Sequence, residues 1–271
     1  MQIERGLDYE KLYNGGRIMG VNNGLNVVSD SLIFSFDAGN VKCTDADNVV
    51  TSMRDSAIVS HSSRSDRAIT GAGTTANITF PTDTGAIKTI DTGVTGRKSE
   101  TDATNFDNRL GLDDDIVFAD EAAWSCEFWA KPRSNAVITF NSLAGKGGIN
   151  NWLIWQMSGS NQWYPRFRDN DSEYRDSGTT TVAGNLDWHQ VVFTVTTGRV
   201  LTFYVDGVAS GNTVTIADSA LTINRLMAGY SSGTSRYNFM GSMLCARIYS
   251  KTLSAAEILQ NFNATRGRVG I

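Results

Sequence analysis

GNLDWHQVVFTVTTGRVLTFYVDGVASG, residues 184–211, is the stretch that decides the fold. It contains two runs of β-branched and aromatic residues, 188–196 and 200–205, and the three residues between them suit a tight connection. Asp206-Gly207 follows, and both of these residue types tolerate the positive φ of a type I′ turn, so a third strand is expected from Val208. The stretch therefore predicts a three-stranded antiparallel meander.

Alternation along the two strands assigns their faces, because side chains two residues apart point the same way. The face expected in the core carries His189, Val191, Phe193, Val195, Leu201, Phe203 and Val205. The opposite face carries Gln190, Thr194, Thr202 and Tyr204. Since folding alone explains this pattern, function is expected in the loops, the outer faces and the N-terminal segment.

The meander motifs W-H-x-V-x-F-x-V and L-x-F-Y-V-D-G-V resemble the central meander of laminin G-like domains in the concanavalin A-like superfamily. Other stretches resemble the same family in the right order, and the first of them resembles the opening strand of such domains in bacteriophage proteins. These stretches are SLIFSFDAGN (31–40), WSCEFWAKP (124–132), GSMLCARIY (241–249) and LSAAEI (253–258). The resemblance covers residues 31–265 and implies an all-β jelly-roll sandwich of two antiparallel sheets. The expected organisation is an N-terminal arm, 1–30, and a jelly-roll domain, 31–271, with a short C-terminal helix.

The arm shows no sustained periodicity and contains two Gly/Asn clusters, so it is expected to be ordered only by docking, either on this domain or on a neighbouring subunit. We favour the neighbouring subunit. Its isolated apolar residues are the candidate contacts: Leu12, Tyr13, Ile18 and Met19. Charged residues interrupt every apolar run near the start, which predicts neither a signal peptide nor membrane insertion. We therefore expect synthesis in a cytoplasm.

Charge and cysteine content select no partner class. The formal net charge is −4 and no basic run occurs, so nucleic-acid binding is not expected. Cys43, Cys126 and Cys245 are an odd number without metal-ligand spacing, which indicates free thiols that pack as small apolar groups.

A second hairpin, residues 151–168, is rich in aromatic residues mixed with Asn, Gln and Arg. Ring faces stack on the apolar side of a sugar, and amides or guanidinium groups bond its hydroxyls. The candidate glycan-binding residues are Trp152, Trp155, Trp163, Tyr164 and Arg166. The same composition also suits a sandwich core or a subunit contact, and both alternatives stay open at this stage.

No catalytic motif is found. Retaining glucanases of the superfamily need two carboxylates on one strand, and the nearest fragment, Glu100-Thr101-Asp102, lacks the last glutamate. His61 lies in a polar run, and His189 lies on the core face, where a packed, hydrogen-bonded histidine is expected. The sequence therefore predicts a protein that is not an enzyme.

No cofactor is expected, with calcium as the one open alternative. Many laminin G-like domains bind Ca²⁺ at the sandwich rim, and carboxylates in two segments could supply hard oxygen ligands: Asp113, Asp115, Asp169 and Asp171. Aspartate is also common in turns that bind no metal, so these residues can have a purely structural role.

At the C-terminus, Ser254 and Glu257 form a capping-box pattern that begins a helix, with Ile258, Leu259 and Phe262 expected to dock on the sandwich. Residues 261–268 are expected to fray into a basic tail.

Leu244 and Cys245 stand where the family often has an acidic pair, so that surface is expected to be buried. Trp129 points outward by alternation and needs cover from a loop or a partner.

The resemblance implies a non-enzymatic structural protein of a bacteriophage virion, assembled in the host cytoplasm. The favoured form is a capsid-decorating protein whose arm binds other virion proteins, the major capsid or a tail protein, with a homotrimer as a possible assembly. The alternative is a tail-fibre or receptor-binding protein that adheres to host surface glycans. A bacterial carbohydrate-binding module is disfavoured because no signal peptide is predicted.

Overall fold

The structure is a computed structural model. It describes residues 27–38, 53–54, 68–72, 82–83, 87–88, 90–91, 109–132, 142–146, 151–157, 162–169, 173–176, 182–183, 186–232, 235–239 and 241–271. Several predicted features lie outside these residues, namely the arm up to residue 26 with Leu12, Tyr13, Ile18 and Met19, and also Cys43, His61, Glu100, Asp102 and Asp171.

The described ranges contain short strands and one C-terminal helix. In chain order the strands are β1 Leu32–Asp37, β2 Met53–Arg54, β3 Ala68–Ala72, β4 Thr82–Asp83, β5 Ile87–Lys88, β6 Ile90–Asp91, β7 Arg109–Phe118, β8 Trp124–Pro132, β9 Ser142–Gly145, β10 Trp152–Met157, β11 Gln162–Arg168, β12 Tyr174–Asp176, β13 Val182–Ala183, β14 His189–Val195, β15 Val200–Val205, β16 Val208–Ala209, β17 Val214–Thr215, β18 Leu221–Leu226, β19 Ala228–Ser232, β20 Ser235–Asn238 and β21 Gly241–Tyr249. The helix, α1, is Ala255–Arg266.

Two antiparallel sheets make up the sandwich. The first sheet has the order β1-β21-β8-β14-β15-β16, with β17 also pairing with β15 and β6 with β21. The second has the order β12-β11-β10-β9-β18-β7-β3-β2, with β13 also pairing with β11. The pairs β4-β5 and β19-β20 are separate small hairpins. This arrangement, with the single described helix at the C-terminus, confirms the predicted fold class.

The predicted meander is confirmed within the first sheet. Strands β14 and β15 pair antiparallel with Phe193 opposite Phe203, and β16 folds back on β15 with Val205 opposite Val208. The two residues between β15 and β16, Asp206 and Gly207, have φ values of 51° and 80°. Both lie in the region that a type I′ turn requires, so this local signal fixed the register of the hairpin.

The core lies between the two sheets and is rich in aromatic residues. Phe193 packs edge-on against Phe128 and Phe203. Trp124 packs with Phe118 and Phe167 across the sandwich, and its indole Nε1 donates to the carbonyl of Ser219 at 2.9 Å. The other core members include Phe34, Phe36, Leu143, Leu153, Trp155, Trp163, Val191, Leu201, Leu221, Ile223, Met243 and Ile248.

Helix α1 covers the outer face of the first sheet. Trp129, which points away from the core, is fully buried because the Phe262 ring stacks on it, with 5.6 Å between centroids and 7° between planes. Leu244 and Cys245 are buried in the same cluster, as predicted. The cover that Trp129 needed therefore comes from this chain's own helix.

One expectation for the C-terminal segment is wrong. Leu259 is 45% exposed but still lies against Gly207 of the turn after β15, while Ile258, Asn261 and Thr265 form the buried side of the helix. The segment after residue 261 does not fray, since the helix runs to Arg266 and Arg268 pairs with a buried aspartate. The Arg268 guanidinium donates from both Nη atoms to Asp37, at 2.6 and 2.9 Å, which fixes the chain end against β1.

Residues 27–31 enter the domain beside α1. The amide of Val28 donates to Asn261 Oδ1 at 2.8 Å, and Lys251 Nζ pairs with Asp30 at 2.7 Å. Val28 also packs in an apolar cluster with Ile258. Residue 27, where the described N-terminal segment begins, therefore lies on the helix-covered side of the sandwich.

The capping box at the start of α1 predicts a pH-dependent contribution to stability. Partial burial works in the opposite direction, but hydrogen bonds from Lys251 and Ser254 hold the pKa of Glu257 below its ordinary value of 4.5. A lowered pKa means that the stabilisation is complete above that ordinary value and is lost as the pH falls through the lower, folded-state value. We expect Glu257→Gln to cost about 0.5–1 kcal/mol near neutral pH and nothing in acid. Chemical denaturation across pH 2–7 tests this, and a difference that persists at pH 2 would contradict it.

No helix in the described part of the chain is long and apolar enough to cross a membrane.

Candidate functional site

The outer face of the second sheet carries a cluster of cations and rings on β10, β11 and β12. In the register of these strands, Trp152 lies opposite Arg168 and Arg168 lies opposite Tyr174. Arg166 lies opposite Asp176 in the next outward row. Their neighbours along the strands, such as Phe167, belong to the core between the sheets. This row of residues therefore points away from the core, on the side opposite α1.

Rings and guanidinium groups alternate across this surface. The Cζ atom of Arg166 lies 5.6 Å from the Tyr164 ring centroid and 4.8 Å from that of Tyr174. Arg168 Cζ lies 5.0 Å from the Tyr174 centroid and 5.9 Å from that of Trp152, distances at which cation–π attraction is effective. Arg168 Nη1 also donates to the Tyr174 hydroxyl at 3.1 Å. We call Tyr164, Arg166, Arg168 and Tyr174 the Tyr–Arg face; each is partly exposed.

The structure separates the five predicted glycan-binding residues. Trp152, Trp155 and Trp163 are fully buried, so the expectation that their rings are presented to a sugar needs correction. Trp155 and Trp163 point into the core and stack on each other, with 5.9 Å between centroids. Trp152 lies beneath Arg168 and Tyr174 and supports them. Of the predicted set, Tyr164 and Arg166 are the two that reach the surface.

Sequence reasoning missed Arg168 and Tyr174. Arg168 could have been found, because it follows Tyr164 and Arg166 at the two-residue spacing of one strand face. Tyr174 could not, since it joins the face only through the pairing of β12 with β11.

Two ion pairs limit the free charge near this surface. Arg166 Nη2 lies 3.3 Å from Asp176 Oδ2, and Arg175 Nε lies 2.7 Å from Asp169 Oδ2. Burial raises the pKa of the Tyr164 phenol, with the Arg166 charge acting in the opposite direction and Asp176 adding to the rise. The Tyr164 hydroxyl is therefore a neutral donor and acceptor near pH 7.

The carboxylates considered for calcium have protein partners where the structure describes them. Asp115 pairs with Lys146 on the sheet surface. Asp169 is buried, and accepts from the Glu173 amide and from Arg175. No group of three or more potential ligand residues is found among the described side chains. Those of Asp113 and Asp171 lie outside the description, so calcium stays a prediction.

His189 is packed and hydrogen-bonded, as predicted. Its Nδ1 lies 2.8 Å from Asp206 Oδ2, and Asp206 Oδ1 accepts from the Gln190 amide at 2.9 Å. The imidazole also packs on Trp155, at 6.0 Å between centroids. The histidine thus ties the start of β14 to the turn after β15.

A buried polar network lies between the first sheet and α1. Glu127 and Arg247 are both fully buried and form an ion pair at 2.7 Å. Glu127 also accepts from Gln190 and from Asn261, at 2.9 and 2.8 Å, and Arg247 donates to Thr265 Oγ1 at 3.2 Å. Because the helix closes over this carboxylate, the network holds the domain together rather than facing a ligand.

The buried cysteines give a further testable expectation. Cys126 and Cys245 are free and buried, as predicted; burial raises the pKa of Cys245 to about 12 and that of Cys126 well above its usual range. Since the thiolate is the reactive form, neither should react at pH 8 in the native state. We expect at most one of the three thiols, Cys43, to be titrated before unfolding and all three afterwards. Rapid native labelling of Cys126 or Cys245, read by mass spectrometry, would contradict this burial.

The two-sheet sandwich with its C-terminal helix has a lectin-like β fold. Residues 102–259, more than half of the chain, match the laminin G-like family described as the concanavalin A-like lectin/glucanases superfamily. The chain belongs to this family. No curated protein matches the sequence.

Solved structures with the same fold include three from different sources. Domain 4 of AbnA, an extracellular GH43 arabinanase from Geobacillus stearothermophilus solved with arabinotriose, has a TM-score of 0.54 at 16% identity, covering 85% of this chain and 98% of that domain. Trypanosoma rangeli sialidase, solved with sialic acid, has 0.52 at 14%, covering 89% and 34%. The receptor-binding domain of botulinum neurotoxin type G has 0.51 at 11%, covering 86% and 51%. At these identities the likeness concerns the fold alone.

Proposed function

We propose that the protein is a non-enzymatic structural protein of a bacteriophage virion, which decorates the capsid exterior and displays a lectin-like domain. The observation that carries the proposal is the placement of two features on opposite sides of the sandwich. Residues 27–31 join the domain beside α1, at Asn261 and Lys251. The Tyr–Arg face lies on the outer side of the other sheet. A domain held by its N-terminal arm would therefore present the Tyr–Arg face away from the particle.

The assignment to a bacteriophage is supported by sequence resemblance. Residues 31–40 resemble the first strand of such domains in phage proteins, and residues 253–268 resemble how phage-encoded relatives end. In this proposal the arm, 1–30, binds the major capsid or a tail protein, and the sandwich stands outside the virion. A homotrimer is one assembly in which several arms would bind together.

The proposed absence of enzymatic activity is supported by the surroundings of the carboxylates. Glycoside hydrolysis uses two carboxyl groups that flank the scissile bond. Asp176 is the carboxylate beside Arg166 on the outer face, and it is already paired with that arginine. Glu127 lies on β8 but is closed off beneath α1. Neither arrangement resembles an open acid–base pair.

A second candidate is a tail-fibre or receptor-binding protein that adheres to host surface glycans. The observation that favours it is the Tyr–Arg face itself, where partly exposed rings alternate with guanidinium groups. Tyrosine rings of this kind offer an apolar surface with a polar edge, which suits a sugar.

Immunogold labelling of intact virions distinguishes the two candidates. An antibody raised against the purified domain should label the head surface if the protein decorates the capsid. Label confined to the tail end would instead establish the adhesion candidate. Virions that contain no labelled site and no trace of the chain by mass spectrometry would contradict both.

A further inference from the structure

We infer that the Tyr–Arg face binds a carboxylated sugar, with Arg168 as the residue that pairs with its carboxylate. This ligand class rests on the proposed adhesion to glycans. Arg168 differs from Arg166 and Arg175 in its ion pairing.

Arg168 is a partly buried cation without a carboxylate partner among the described residues. Arg166 is paired with Asp176 and Arg175 with Asp169, whereas the one hydrogen bond of Arg168 to a described side chain is from Nη1 to the neutral hydroxyl of Tyr174. Its Nε is buried without a partner, and Nη2 bonds no described residue. Since partial desolvation of an unpaired charge is unfavourable, an arriving anion would relieve a cost already present in the free protein.

The orientation of the guanidinium group is fixed before a ligand arrives. Tyr174 and Trp152 lie within 5.0 and 5.9 Å of its Cζ atom, and Trp152 is itself fully buried. A guanidinium group held between rings keeps its planar set of donors, which matches a carboxylate better than an ammonium group does. Little side-chain entropy is then lost on binding.

The surroundings of Arg168 favour one sugar carboxylate over a polyanion. Among the side chains that the structure describes here, Arg168 is the guanidinium group without a carboxylate partner, while the chain as a whole carries a net charge of −4. A single available cation on a negatively charged chain disfavours binding of a nucleic acid or a heavily sulfated polysaccharide, because each carries many negative charges. Tyr164 and Tyr174 provide ring surface and hydroxyls beside the cation for the rest of the sugar ring.

Calorimetric titration of the full-length protein tests the inference with two pairs of sugars. One pair is 3′-sialyllactose and lactose; the other is trigalacturonate and its methyl ester, in which the carboxylate charge is removed. We expect at least one acidic sugar to bind about tenfold or more tightly than its uncharged partner. The pair that responds identifies whether the carboxylate belongs to a sialic acid or to a uronate.

Three variants connect the preference to Arg168. R168Q should lose about tenfold or more in affinity for the acidic sugar, while R168K, which keeps the charge but not the planar donors, should lose less. The matched control is R266Q, which removes the same charge from an exposed position on α1, on the other side of the sandwich. It should bind like the wild type. Circular dichroism and thermal unfolding check that each variant is folded, and R168K provides the test if R168Q is not.

Equal binding of acidic and uncharged sugars, or unchanged affinity in R168Q, would overturn the inference while leaving glycan recognition in place. Binding of none of the four sugars would also overturn it, while the labelling of virions still decides the adhesion candidate. Neither result alters the labelling test of capsid decoration, so the two proposals fail separately.

Discussion

Replacing Glu127 by alanine is expected to lower the free energy of unfolding by about 3–5 kcal/mol. Glu127 and Arg247 form a fully buried ion pair, so the variant would leave the Arg247 guanidinium charged, buried and without its carboxylate. Gln190 and Asn261 would lose an acceptor at the same time. Urea denaturation followed by tryptophan fluorescence measures the change.

Two control variants make this result specific to the buried charge. The exchange of both partners, E127L with R247M, should recover most of the lost stability, because no unpaired charge remains. Removing one member of an exposed pair, as in D115N opposite Lys146, should cost no more than about 1 kcal/mol. If E127A unfolded within 1 kcal/mol of the wild type, the pair would not be buried as described.

Trp129→Ala is expected to cost about 3–5 kcal/mol, as large-to-small replacements in a core do. Phe262 of α1 stacks on Trp129, and Trp188, Leu244 and Cys245 belong to the same buried cluster. The variant would leave a cavity under the helix and loosen its attachment to the first sheet. Thermal unfolding and hydrogen exchange of the α1 amides measure the two effects.

Trp129→Phe is the milder counterpart, since it keeps a ring for Phe262 and removes an indole Nε1 that is buried without a partner. It should cost clearly less than the alanine variant. Val117→Ala, at a position 65% exposed, should change stability by no more than about 0.5 kcal/mol. A Trp129→Ala protein with wild-type stability would mean that α1 does not close this face.

The parts of the fold that were predictable are those with local signals. Alternation along β14 and β15 and the positive-φ pair at Asp206-Gly207 fixed the meander, because both act over a few residues. The capping box at Ser254 and Glu257 likewise began the helix where expected.

The errors arose where tertiary pairing decides. Trp155 and Trp163 are residues typical of a sugar-binding surface, yet they stack on each other in the core. The sequence of an aromatic strand does not indicate which of its faces another sheet will cover. The tail was predicted to fray because its partner, Asp37, lies more than 200 residues away in the sequence. In the structure Asp37 binds Arg268. Arg168 and Tyr174 meet only through the register of β11 and β12, which sequence alone did not supply.

Rebinding to virus particles is the most direct test of the proposed role. Particles stripped of the protein would be incubated with the full-length chain, with R168Q, and with a chain that begins at residue 27 and so keeps the bond from Val28 to Asn261. We predict that the full-length chain and R168Q bind equally, and that the shortened chain, still folded, does not bind. Equal binding by the shortened chain would contradict the claim that the arm attaches the domain to the virion.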